Sequence, residues 1–188
     1  NDLSAGTQGF TFALSGGGIE DEEVLNWELG LKESEIDVAI KLALCEMNGL
    51  PSWFEKLFVA YPKRVVALLL KEITWLSDDK GEADNSGYIL GQILVNGHYL
   101  FDALSNPILE ILNNASLSKY EFIKKTLRIL SSSKYITDER LSNLAQNKLN
   151  NEPTTDNRCL WWAILISSDA EVGIPLLGEQ LKSENDDN

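Results

Sequence analysis

Histidine occurs once in this 188-residue chain, methionine once and cysteine twice. With His98 alone, no His₂ or His₃ metal set can be built, and a carboxylate–imidazole–hydroxyl relay would hang on that one residue. Cys45 and Cys159 are too few for a disulfide framework or a zinc site, and a chain without either fits a reducing cytoplasm. No apolar run reaches the roughly 18 residues of a membrane-spanning helix, because Lys71, Glu72, Asp102 and Glu110 interrupt the most hydrophobic regions. No G-x-x-x-x-G-K-[ST] phosphate loop is present, and no segment alternates apolar and polar residues over strand length. Basic residues are also scarce, 16 against 29 acidic ones for a net charge of −13, a field that repels nucleic acid and anionic membranes. Metal, cofactor, nucleic acid and bilayer are all excluded as expectations.

What remains is helical grammar. Residues 1–19, rich in Gly, Ser and Thr, read as a flexible lead-in, and the acidic end 183–188 as a disordered tail. With no initiator Met and no signal or transit peptide in view, the chain reads as an excerpt of a longer protein. Between them, 20–182 read as one helical-repeat domain. Ser34 with Asp37, Ser52 with Glu55 and Ser118 with Glu121 suggest three capped helix starts. Apolar spacing predicts helices over 35–48, from Trp53 to Pro62, 63–77, 88–95, 99–104, 107–112, 118–132, 138–149, 158–167 and about 170–182. Asn48-Gly49 supplies a C-terminal stop for the first, and Pro107 is placed at a helix start.

Charge is unevenly distributed. Residues 1–114 carry a net −11 and 151–188 a net −6, but 115–150 carry +4. On the helix predicted over 118–132, Lys124, Lys125 and Arg128, with Lys119 nearby, form a basic ridge opposite Tyr120, Ile123, Leu127 and Leu130. That ridge is the candidate docking place for an acidic protein segment. Of the pair Trp161-Trp162, neighbours lie about 100° apart on a helix, so one indole is left to contact a neighbouring repeat or a partner.

Other motifs carry less. Leu14-Ser15-Gly16-Gly17 resembles the signature loop of ABC transporter ATPases over four residues, and Gly18 stands where that family favours Gln. Residues 82–93 echo an EF-hand, with Glu82, Asp84, Ser86 and Gly87 in place, but Ile93 stands where the bidentate Glu is needed. Asn114-Ala115-Ser116 fits a glycosylation acceptor, without meaning in the cytoplasm. His98, crowded by Tyr99 and Phe101, is a structural histidine in the plainest reading. A small helical enzyme or ligand-binding domain with a pocket around it is the rival reading.

An internal repeat selects among helical folds. Residues 53–73 and 161–181, 108 positions apart, match without a gap: Trp53-Phe54 with Trp161-Trp162, Leu57 with Leu165, Phe58 with Ile166, Val66 with Ile174, Leu68-Leu69 with Leu176-Leu177, and Ile73 with Leu181. Each is a helix, a turn of three or four residues and a helix. A helical hairpin repeated at this interval predicts an all-α, right-handed solenoid-like stack of about eight or nine helices.

The string from Ala43 to Leu57 (ALCEMNGLPSWFEKL), followed by Ala60-Tyr61-Pro62-Lys63-Arg64-Val65, resembles HEAT-like α-helical arrays of very large bacterial proteins. Those arrays carry an E-x-N-G-x-P-x-W turn and an A-x-P-x-x-V helix start. Residues 160–181, with Asp169, Glu171, Ile174, Pro175 and Leu177, are similar to a later hairpin of the same arrays. Such arrays follow NACHT-like or related STAND NTPase modules, some of them in antiphage defence. The resemblance implies a non-catalytic scaffold or sensor segment that meets another protein, or another part of its own parent chain, with the ATPase elsewhere.

Overall fold

A computed structural model of the chain describes residues 27–77, 87–114, 119–151 and 155–186. Among the described residues there is no strand. Nine α-helices are present: α1 (Glu33–Ala43), α2 (Phe54–Ala60), α3 (Pro62–Ser77), α4 (Tyr88–Asn96), α5 (Phe101–Asn114), α6 (Tyr120–Ser131), α7 (Asp138–Leu149), α8 (Thr155–Ser168) and α9 (Ala170–Asp186). Two short 3-10 turns, Trp27–Gly30 and His98–Leu100, accompany them. The chain divides into two compact units, one of residues 1–75 and 88–100, the other of 76–87 and 101–188. The lead-in 1–19, residues 82–86 of the EF-hand echo and Ser118 lie outside the described residues.

In the first unit, α2 packs on α1 and on the turn Trp27–Gly30. Ile36, Ala39, Ile40 and Ala43 supply the buried row of α1, and Phe54 and Leu57 that of α2. Where spacing predicts a helix to residue 48, α1 stops at Ala43, because carbonyls beyond it are taken by side chains of α4. Gln92 Nε2 donates to the oxygens of Leu44 and Glu46, Tyr88 Oη to Glu46 O at 2.5 Å, and Asn96 Nδ2 to Leu50 O at 3.2 Å. Tyr88, Gln92 and Asn96, spaced i, i+4, i+8, form a polar ladder that holds the turn 44–50. Gly49 turns the chain within it at φ 99°.

The predicted caps at Ser34 and Ser52 are not realised. Lys32 is the first cap, its amide donating to Glu35 Oε2 at 2.8 Å, and Trp53 is the second. Asp37 instead takes a two-pronged bond from Arg64, at 2.7 and 2.6 Å, tying α1 to α3. That guanidinium holds the Asp37 carboxyl below its ordinary range.

In the second unit α8 is central, packed against α6, α7 and α9, while α5 packs on α6. One helix, α5, replaces the two predicted around Pro107. Phe101, Leu104, Ile108, Leu109 and Leu112 are buried in one continuous row, and this packing carries the helix past the proline although its ring removes the donor for Ala103 O. Thr137 Oγ1 caps α7 by accepting from Arg140 N at 3.3 Å. α9 continues through Asp186, into the stretch predicted as a tail.

Asp102, at the start of α5, accepts from Ser133 Oγ at 3.0 Å and Lys134 N at 3.1 Å, and pairs with Lys134 Nζ at 2.8 Å. The Lys134 ammonium, then the Ser133 hydroxyl and Lys134 amide, lower the Asp102 pKa from 3.8, and Asp102 raises that of Lys134 above 10.5. A depressed carboxylate stabilises the fold above its unfolded value, and the contribution is lost as pH falls through the folded one. Asp102→Asn should therefore melt below wild type at neutral pH. The gap should close under about pH 4 in melts recorded against pH. A gap unchanged at low pH would remove the charge from the explanation.

The two hairpins repeat one another in backbone detail. α2 and α3 are separated by Tyr61 alone, and α8 and α9 by Asp169 alone, 108 residues on. Tyr61 N donates to Leu57 O and Val65 N to Tyr61 O; Asp169 N donates to Leu165 O and Gly173 N to Asp169 O. Leu57 and Leu165 are both fully buried, and Phe58 and Ile166 both half-buried. The aromatic pair exchanges roles. Phe54 is buried beside half-buried Trp53, whereas Trp161 is buried beside half-buried Trp162.

Candidate functional site

The basic ridge lies on α6. Phe122, Ile123, Thr126, Leu127, Ile129 and Leu130 are buried, which leaves Lys124 and Arg128, spaced i, i+4, exposed on the opposite side. Lys124 pairs with Glu121 at 3.2 Å and sits 5.5 Å from the Tyr120 ring centre. Arg128 makes no ion pair among the described residues. Lys125 is used differently: half-buried, its Nζ donates to Gly87 O at 2.9 Å. Lys119 is the N-cap residue of α6, half-buried.

Lys124 and Arg128 form the rim of a groove of about 270 Å³. Leu127, Ser131 and Ser132 line it from α6 and the residue after it, and Leu160, Ala163 and Ile164 from α8. The floor is apolar and the rim cationic. Such a groove matches an amphipathic segment whose apolar side chains fill the floor and whose carboxylates meet the rim. Of the four ridge residues, the structure brings Lys124 and Arg128 to this groove, and neither Lys119 nor Lys125 lines it. The α8 half was missed in sequence, because residues 158–167 are apolar nearly all round and do not say which face is left over.

Trp162 has a separate place, in a wider cleft of about 560 Å³ between α7, α8 and α9. Gln146, Asn150, Arg158, Glu179 and Gln180 line that cleft with Trp162, together with Leu149, Leu165 and Leu176. Trp161 turns into the core, as neighbours on one helix must.

His98 is exposed in its 3-10 turn, and Tyr99 is half-buried, its ring 5.8 Å from that of Phe58. Burial, with the Glu55 charge second, raises the Tyr99 phenol well above the usual tyrosine range, so it remains protonated at any physiological pH. Among the described residues no three His, Cys, Asp or Glu side chains gather as a metal site. No described helix is long and apolar enough to cross a membrane. Both cysteines are free and exposed.

No family model matches the chain, and no curated protein or solved structure matches it significantly.

Proposed function

We propose that this chain is a non-catalytic α-helical repeat scaffold or sensor segment that recognises protein. It belongs, in this reading, to a larger cytoplasmic bacterial protein of the STAND NTPase kind, and its hairpins stack in the solenoid manner of HEAT-like arrays. The observation that carries the recognition role is the groove between α6 and α8. Its apolar floor carries a cationic rim, with Arg128 unpaired among the described residues, in a chain of net charge −13. The hairpin repeated with the same one-residue break and the same flanking bonds supports the repeat architecture.

The test is a fluorescence-anisotropy titration with two amphipathic helical peptides of equal apolar face, one with acidic and one with basic flanks. The acidic peptide should bind, with affinity falling as salt is raised. Lys124→Glu with Arg128→Glu should weaken it tenfold or more, about 1.4 kcal/mol, while exposed substitutions of this kind change stability by only about 0.5 kcal/mol. Equal affinity for both peptides, or no effect of the double reversal, would reduce the ridge to a solvated face.

A further inference from the structure

The repeated hairpin contains its own control. In α3, Leu69 and Ile73 are fully buried at 0% exposure, and Val66 and Leu70 half-buried. Their counterparts 108 residues on, in α9, are Leu177, Leu181, Ile174 and Gly178. Here Ile174 is 60% and Leu181 52% exposed, with Leu177 and Gly178 half-buried. The positions that the first hairpin covers, the second leaves open.

Ile174, Gly178 and Leu181 follow i, i+4, i+7 and so share one face of α9, with Leu177 beside them. Among the described residues, a side chain at Gly178 would meet nothing within 4 Å. Glycine inside a helix is destabilising relative to alanine, and no contact among the described residues requires it here. Its place in the middle of an open apolar row has a use if a second backbone approaches closely.

The row is complementary to itself. Ile174 stands four residues before Gly178 and Leu181 three after, so a second α9 running antiparallel sets each Ile174 opposite a Leu181 and crosses near the glycine. Glu171 and Lys182 flank the row on one side, both exposed and neither ion-paired among the described residues. Antiparallel pairing brings each Glu171 to the Lys182 of the other copy. A surface that satisfies both its apolar and its charged positions with a copy of itself has the signature of an isologous contact.

We propose that α9 is a self-association helix, through which two copies of the chain pair antiparallel. The row is Ile174, Leu177, Gly178 and Leu181, closed by two Glu171–Lys182 pairs. One helix face buries less than the roughly 1,200 Å² of a standard stable interface, so the dimer is reversible and concentration-dependent.

Sedimentation equilibrium of the full chain from about 1 to about 500 µM tests this, since weak contacts of this size populate there. A monomer–dimer equilibrium is expected, abolished by Ile174→Lys with Leu181→Lys. Glu171→Lys and Lys182→Glu should each weaken dimerisation about three- to tenfold, because each change removes two symmetry-related pairs, and combining them should restore it. Gly178→Ala should raise the melting temperature of the dilute monomer by about 2–4 °C and yet weaken dimerisation, a split that a purely structural role does not produce. A chain that stays monomeric throughout, open-ended oligomers, a dimer that survives the double lysine variant, or a charge swap that fails to restore pairing would each overturn the proposal.

Discussion

Trp161→Ala should destabilise the second unit by about 3–5 kcal/mol, while Trp162→Ala should cost about 1 kcal/mol or less. The two indoles are adjacent in sequence and chemically identical, so the difference arises from place alone. Trp161 is 1% exposed on the central helix α8, and its removal opens a cavity that α6, α7 and α9 cannot all collapse to fill. Trp162 faces the open cleft of α7, α8 and α9, where water replaces the lost ring. Trp161→Phe should fall between them, since the Trp161 indole N–H is buried without an acceptor among the described residues and Phe dispenses with it. Urea midpoints of the three variants decide the matter, and equal costs for the two alanine variants would put both indoles on one face of the core.

The second large effect concerns the turn before α2. Gly49→Val should cost about 2–4 kcal/mol, the sum of a left-handed backbone forced on a β-branched residue and of overpacking against α4. Gly49 has φ 99°, and a Cβ there would stand 2.9 Å from Asn96 Nδ2 and 3.2 Å from Val95 Cγ1. The two causes can be separated. In Gly49→Ala the steric part falls mainly on the Asn96 amide, which also donates to Leu50 O, so Asn96→Ala alone is the reference: in that background Gly49→Ala should cost only about 1–2 kcal/mol of backbone strain. If Gly49→Ala costs nothing in the Asn96→Ala background, the positive φ is not what requires glycine.

Much of this architecture was legible because packing enforces the helical period. α3, α4, α6, α7 and α9 begin within about two residues of the positions their apolar rows predict, a spread ordinary for helix ends. The repeat of the two hairpins was legible, but its turn was not, since three or four residues were expected where Tyr61 and Asp169 alone separate the helices. Harder to read were features decided at a distance. Ser34 and Ser52 carry good local cap chemistry, but Lys32 and Trp53 occupy the caps, and Asp37 is drawn to Arg64, 27 residues away. The stop at Ala43 depends on Gln92, whose amide lies more than 40 residues along the chain. Pro107 reads as a helix start by its own chemistry and is overruled by a buried row on either side of it. The candidate groove was half legible: a cationic ridge shows in sequence, whereas its floor on α8 shows only once the helix is set in place.

The bonding around Asp169 carries a mechanical consequence. Its amide is given to Leu165 O in one arm, its carbonyl accepts from Gly173 N in the other, and its carboxylate takes Val172 N at 3.2 Å. An elbow of one residue, bonded to both arms, has no spare dihedral with which to absorb torque. α8 and α9 therefore turn as one lever, and a load applied along α9 reaches Ala163 and Ile164 without slack. Inserting a few glycines beside Asp169 would convert that lever into two loosely jointed rods while leaving the helix faces unchanged.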